Sequence, residues 1–344
     1  SGFSYGKSAT EWNVLLYLCW LGVGSSPLKA SRRNVTCHYK RTRKPNMIEQ
    51  IIELQNKIYK YETTDFDTGE EKEYFIDYAP KIEFAKIGDL YSLSFYGNGY
   101  DDDPNTKAKE FDYETNFAFC SFLEFISEQQ NAEKILSLNF GGPDEGANGT
   151  KSWVFERIIN SKVLFSNLKT FNVQFTDLGD HNQSIIDCDF SMEESGAIAK
   201  LISKMPQLES LSIPSAPDKS FFEIGQHPLS FLKVQAGYNH QNFIENLSES
   251  ENFHQLSALD YSEVINIFDK SAEDYTNFES FKKLFQSKAF STVGHFKLRN
   301  SILTEKQLFD LQKLNKVQFL NIMTKGGRYV SHLMQERNEK NNGR

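Results

Sequence analysis

Leu208-Glu209-Ser210-Leu211-Ser212-Ile213 is followed 21 residues later by Leu229-Ser230-Phe231-Leu232-Lys233-Val234, the same pattern set twice. An aliphatic residue is followed by two free positions, an aliphatic or Phe, one free position, and a further apolar residue. The pattern recurs as Leu90-x-x-Leu93-x-Phe95, Leu168-x-x-Phe171-x-Val173 and Leu256-x-x-Leu259-x-Tyr261. It returns in Val293-x-x-Phe296-x-Leu298 and Leu314-x-x-Val317-x-Phe319, and a degenerate copy, Leu136-x-Leu138-x-Phe140, lacks the first leucine. Strand side chains alternate, so the last two apolar positions of each copy share one face of a short strand.

Between the copies the apolar residues fall at helical spacing. Phe117, Phe122, Phe125 and Ile126 precede the Leu136 strand, and Trp153, Ile158 and Ile159 precede Leu168. Met192, Ile198, Leu201 and Ile202 precede Leu208, with Ser191 as the expected N-cap and Glu194 at capping-box spacing. Tyr275, Phe278, Phe281 and Leu284 precede Val293, and Leu308, Leu311 and Leu314 precede Val317. A helix feeds a strand again and again. The starts of the intact copies lie 78, 40, 21, 27, 37 and 21 residues apart, and the degenerate copy divides the first interval. Units of 20–29 residues are the leucine-rich-repeat range, and the longer intervals imply longer helices or inserted loops. One unit cannot bury its apolar face alone, whereas stacked units make a continuous core. The expected fold class is therefore α/β, a solenoid with parallel strands on a concave face and helices on a convex face. A doubly wound sheet also alternates strands and helices, but no phosphate-binding loop follows any strand here.

The segments Phe165-Ser-Asn-Leu168-Lys-Thr-Phe171, Met205-Pro206-Gln207-Leu208-Glu209-Ser210-Leu211 and His254-Gln-Leu256-Ser-Ala-Leu259-Asp260-Tyr261-Ser262 resemble leucine-rich-repeat proteins of the ribonuclease-inhibitor-like type. More closely, the chain is similar to divergent, stand-alone bacterial leucine-rich-repeat proteins. The likeness covers about residues 85–325. It departs from the family where the asparagine after the third hydrophobic is mostly missing and Phe replaces many leucines. The resemblance implies a horseshoe and a binding role, and supplies no catalytic residues.

Four domain segments follow. Residues 47–84 are expected to be an N-terminal cap, a helix opening at Met47 and then a β-hairpin alternating through Tyr59, Tyr61, Thr63, Tyr74, Ile76 and Tyr78. Residues 85–325 form the solenoid, and 326–344 a C-terminal helix (Arg328 to Lys340, with Val330, Leu333 and Met334 on one face) before a polar tail. Residues 1–46 carry eight Lys/Arg and one acid, a charge of +7, against −15 for the remainder. They are read either as upstream sequence preceding a start at Met47 or as a signal-like leader with Val14–Gly24 as its apolar core. That run is about half the ~20 residues a membrane-crossing helix needs, so no membrane span is expected. The localisation expected is cytoplasmic, or secreted if the leader is genuine.

The whole chain, 344 residues with 39% hydrophobic, 24% charged and net charge −8, has the balance of an ordinary globular protein. Four cysteines are too few for a disulfide scaffold, and Cys120 and Cys188 read as small buried hydrophobes. Asp65-Phe-Asp67-Thr-Gly69 fails as a calcium loop because the glycine is one position early and Ile76 stands where a glutamate is required. Asp101-Asp102-Asp103 reads as a solvated turn, and Gly141-Gly142-Pro143-Asp144-Glu145-Gly146 as a turn with no phosphate-binding lysine. The seven histidines show no ligand spacing, so no metal and no cofactor is expected. Asn148, Asn182 and Asn246 match the glycosylation acceptor pattern. Acidity over residues 47–344 disfavours nucleic acid.

The positions flanking the inward hydrophobics should face solvent. They include Thr170, Asn172, Gln174, Ser210, Ser212, Lys233, Gln235 and Asp260, then His295, Lys297, Arg299, Lys316 and Gln318. The last group places a cationic cluster on an acidic protein, expected to steer another protein with an acidic surface. The expected function is a non-enzymatic protein–protein interaction module. The rival is an enzyme with a pocket in the insertion carrying Asp177, Asp180, His181, Asp187 and Asp189, the densest carboxylate–histidine group in the chain.

Overall fold

Each of the eight pattern copies runs into a strand of one sheet. The computed structural model describes residues 45–64, 68–70, 80–99, 117–144, 149–177, 179–186, 194–263, 271–325 and 328–334. The elements in chain order are α1 (Met47–Thr63), β1 (Lys81–Ile87), β2 (Leu90–Tyr96), α2 (Phe117–Ser127), α3 (Gln129–Ala132), β3 (Ile135–Gly141), β4 (Gly149–Trp153), α4 (Glu156–Asn160), β5 (Thr170–Val173) and β6 (Asn182–Ile186). They continue with α5 (Ala197–Ile202), β7 (Ser210–Ile213), β8 (Phe231–Gln235), α6 (Phe243–Glu249), β9 (Ala258–Ser262), α7 (Phe278–Gln286), β10 (His295–Arg299), α8 (Glu305–Gln312), β11 (Gln318–Lys325) and β12 (Arg328–Met334). The sheet order is β1-β2-β3-β5-β7-β8-β9-β10-β11-β12, with β4 and β6 forming a separate parallel pair. From β2 to β11 every neighbour is parallel, and only the end pairs β1/β2 and β11/β12 are antiparallel. The fold is mixed α/β with a mostly parallel sheet.

Register stacks the pattern residues. Leu93, Leu138, Phe171, Leu211, Leu232, Leu259, Phe296 and Phe319 form one row across the sheet. Phe95, Phe140, Val173, Ile213, Val234, Tyr261, Leu298 and Asn321 belong to the next inward row. All sixteen are buried. The helices follow one another in the order of the strands, with the 3₁₀ turn Lys219–Glu223 bridging α5 and α6, and they meet these rows on one side, as where Phe285 of α7 contacts Phe296 of β10 and Phe319 of β11. Phe243 of α6 stacks on Tyr261 of β9 in the same way. Parallel sheets covered on both faces read as continuous apolar runs. These strands alternate instead, so the opposite face carries polar side chains. Each fully buried Leu or Phe contributes roughly 1.5–3 kcal/mol, and the shared rows turn marginal units into one core.

The structure corrects several expectations. The degenerate copy is intact one residue earlier, as Ile135-x-x-Leu138-x-Phe140, with Ile135 fully buried. The last copy slips by two positions: Phe319 pairs with Phe296, and Asn321 with Leu298, while Leu314 is exposed. Tyr59 to Thr63 belong to α1, whose buried Met47, Ile51, Leu54 and Ile58 carry the helical period past a three-residue alternation. Asn46 and Glu49 form a capping box at its start. The N-terminal hairpin is instead β1/β2, so the 84/85 boundary falls inside β1, and Tyr74, Ile76 and Tyr78 lie outside the described residues.

At the other end the expected helix over Arg328 to Lys340 is replaced by strand β12, which pairs antiparallel with β11 from Lys325↔Arg328 to Phe319↔Met334. The outer edge of β11 offers a ladder that an isolated turn of helix cannot match, and residues 335–340 of the expected helix lie outside the described residues. Trp153 ends strand β4, so α4 begins only at Glu156. Ser191 and Met192 lie outside the described residues, and α5 starts at Ala197 with Glu194 accepting from the Ile198 N–H at 2.8 Å. Asn277 caps α7, leaving Tyr275 ahead of the helix. Asn182 is buried in β6, which is no place for a glycan.

Candidate binding face

The polar face is built from three outward rows. One contains Ser137, Thr170, Ser210, Phe231, Ala258, His295 and Gln318. The next contains Ser94, Asn139, Asn172, Ser212, Lys233, Asp260, Lys297 and Leu320. The third places Gln235, Ser262, Arg299 and Ile322 side by side. Parallel register puts equivalent residues about 4.8 Å apart, so side chains far apart in sequence become neighbours.

The charged centre lies on β8, β9 and β10. Asp260 is buried, and its carboxylate accepts from Arg299 Nε at 2.7 Å and from the same guanidinium's terminal nitrogen at 2.9 Å. Lys297 Nζ stands 3.8 Å from the same carboxylate with nearly half its side chain exposed. A bidentate, charge-assisted pair of this kind is strong and directional. Lys233 Nζ sits 4.1 Å from the centre of the Phe175 ring, a cation–π contact. Burial pulls the Lys233 amine below its ordinary value, opposed by the Asp260 carboxylate and reinforced by Arg299 and Lys297. Lys297 and Arg299 thus both engage Asp260. Arg299 serves the fold through Asp260, and Lys297 is the more exposed of the pair.

The other expected face residues divide sharply. His295 and Gln318 are exposed on adjacent strands, and Asn172 is half-buried on β5. Lys316 is exposed but precedes β11, because the two-residue register slip moves it off the strand. Gln174 accepts from the Gly142 N–H at 2.9 Å. Gln235 is buried, accepting from the Thr176 N–H at 3.0 Å and donating to the Thr176 carbonyl at 3.1 Å. The chain leaving β5 thus crosses β7 to reach β8, lays Phe175 against Lys233 and closes over Gln235, while Ser212 is also buried. Ser212 and Gln235 are buried, whereas Gln174 is half-buried. That crossing segment has no pattern in the sequence and was not foreseeable from spacing.

Two recesses mark the face. One of about 330 Å³ is lined by Ser94, Tyr96, Asn139, Gly141, Asn172 and Gln174, with the Lys81–Glu83 pair at its rim. The other, of about 280 Å³, is lined by Phe231, Ala258, Asp260, His295, Lys297, Gln318 and Leu320. Its apolar members, Phe231, Ala258 and Leu320, hold outward positions that alternation alone locates, but their chemistry does not single them out.

In the insertion, His181 Nδ1 lies 2.8 Å from Asp144 Oδ2, and the same carboxylate accepts from the backbone N–H groups of His181 and Asn182 at 3.0 and 3.1 Å. These bonds from His181 hold the Asp144 carboxyl down at about 2. Asp180 accepts from the Asp177 N–H at 2.7 Å. These carboxylates close turns leading into β6, and Asp187 and Asp189 lie outside the described residues. Among the described residues no group of three or more His, Cys, Asp or Glu is placed to hold a metal ion, and no helix is long and apolar enough to cross a membrane.

Behind the face, Glu263 follows β9 and is fully buried, with its Oε2 3.5 Å from both the Tyr261 hydroxyl and the Thr276 nitrogen. Burial first, and the nearby Glu245 charge after it, push its carboxyl up to about 8. No protein-family model, curated protein or solved structure matches this chain.

Proposed function

We propose that this chain is a leucine-rich-repeat solenoid of the ribonuclease-inhibitor-like kind, and that it works as a non-enzymatic module binding another protein on its concave strand face. The repeat assignment is supported by the register of the eight pattern copies and by helices that follow the strand order on one side. The binding assignment rests on one observation: a largely polar face crosses eight parallel strands, spanning about 34 Å at ladder spacing, and among the described residues no helix layer covers it of the kind that lies behind it. Pre-ordered strands lose little freedom on association, which favours a large rigid surface as a docking platform. Lys297, His295 and Gln318 are its exposed polar members on β10 and β11, and an acidic partner surface would complement the cations there.

Amide hydrogen exchange of the full chain, alone and with a protein captured on it, tests this reading. Protection over β5 to β11 with α6 to α8 unchanged is the expected outcome. Protection confined to the helices would overturn it.

A further inference from the structure

We infer that the recess around Ala258 is the anchor point of the binding face, and that it takes one large apolar side chain from an acidic peptide segment of the partner. This rests on the binding-face reading above and narrows it to one place and one chemistry. Ala258 is the smallest member of its outward row, set between Phe231 on β8 and His295 on β10. With Leu320 on the far side, the apolar lining residues Phe231, Ala258 and Leu320 are half-buried, and the polar His295, Lys297 and Gln318 around them are exposed. A recess of about 280 Å³ accommodates one Leu or Phe side chain, and a buried apolar anchor ringed by polar contacts is the usual organisation of an interface hot spot.

The rim supplies the charge preference. His295 and Lys297 flank the recess on β10, and both are exposed. The single acid there, Asp260, is buried and already neutralised by the two hydrogen bonds from Arg299. An incoming carboxylate therefore meets Lys297 without displacing the Asp260–Arg299 pair, whereas an incoming cation meets only like charge. The overall charge of −8 makes this local preference a matter of placement, not of bulk attraction.

A phage-displayed random dodecapeptide library selected on the immobilised full chain is the test. Enriched sequences should share a large apolar residue within two positions of Asp or Glu. Affinity of the enriched peptides should fall about tenfold or more, the equivalent of one lost anchor, on Ala258→Trp, which fills the recess. Lys297→Gln should weaken them while leaving Asp260 paired to Arg299. Ala258→Ser, which leaves the recess open, controls for a fold defect and should bind normally. Enriched peptides lacking an acidic residue, peptides indifferent to both variants, or no enrichment at all would overturn the anchor. Peptides that ignore Ala258→Trp but are lost on Asn139→Trp would overturn it while leaving the binding face standing, through the other recess.

Discussion

Arg299 of β10 and Asp260 of β9, 39 residues apart in sequence, meet diagonally across the sheet through two hydrogen bonds of 2.7 and 2.9 Å. The aspartate side chain keeps 7% of its surface and the arginine a quarter. Removing Arg299 leaves the buried Asp260 carboxylate without its two hydrogen bonds, with Lys297 at 3.8 Å. Arg299→Ala is expected to cost about 3 kcal/mol, toward the low end for a broken buried pair because the arginine remains partly wet. The double variant Asp260→Leu/Arg299→Leu should recover most of that loss. Chemical denaturation of the three proteins measures it; equal losses in single and double variants would show that the pair is not the cause.

Glu263 sets a pH dependence whose sign follows from its environment. Its carboxyl titrates at about 8 in the folded chain, raised by burial from an ordinary 4.5. Below the ordinary value both folded and unfolded chains hold the proton. As pH rises from there through about 8 the unfolded chain releases it first, so stability declines over that window. Glu263→Gln keeps the shape and removes the titration. The variant should match the parent at pH 4.5 and exceed it by a few kcal/mol at pH 8, and parallel melting curves across that range would contradict this.

Gly142 follows β3 where its chain passes β2. A Cβ added there would lie 2.1 Å from the Gly97 carbonyl oxygen, a backbone atom that cannot rotate aside. Gly142→Ala should therefore lower stability by about 2 kcal/mol, within the range for overpacking. Gly225, with φ +86° and no atom within 4 Å of an added Cβ, isolates the backbone effect alone: Gly225→Ala should cost about 1 kcal/mol. Thermal melts that rank the two the other way would show that the strand ends separate easily.

Asn321 stands where the other seven inward residues of its row are Phe, Val, Ile, Tyr or Leu. It is 2% exposed, and its Oδ1 has no hydrogen-bond partner among the described residues. An unsatisfied buried acceptor costs about 1–3 kcal/mol. Asn321→Leu is accordingly expected to stabilise the chain by about 1–2 kcal/mol in denaturant unfolding. A loss of stability would mean the amide serves a contact other than the row.

The parallel strands from β2 to β10 in the large sheet were legible because each carries two apolar residues in alternation, which the pattern copies mark. The ends were not. Val330, Leu333 and Met334 satisfy helical spacing over one turn, and nothing local reveals that the edge of β11 is open to receive a strand. At the candidate site, alternation located Asp260, Lys297, Arg299 and His295 on the outward side. Their engagement depends on register between strands, which no spacing states. Gln235 illustrates the limit: its partner Thr176 lies 59 residues away, on a crossing segment without periodicity, and that contact turns an outward position into a buried one. Reversing Arg299 would damage the fold along with any surface, because its guanidinium holds the buried Asp260.

On the proposed binding face, Lys297 is the exposed cation expected to meet the partner. The direct measurement is capture from native extract on the full chain, comparing wild type with Lys297→Glu and with Lys306→Glu, an exposed reversal of equal charge on α8, after matched melting curves. The expected result is a stoichiometric protein retained by wild type and by Lys306→Glu and released by Lys297→Glu. A protein retained equally by all three, or lost equally from both variants, would contradict it.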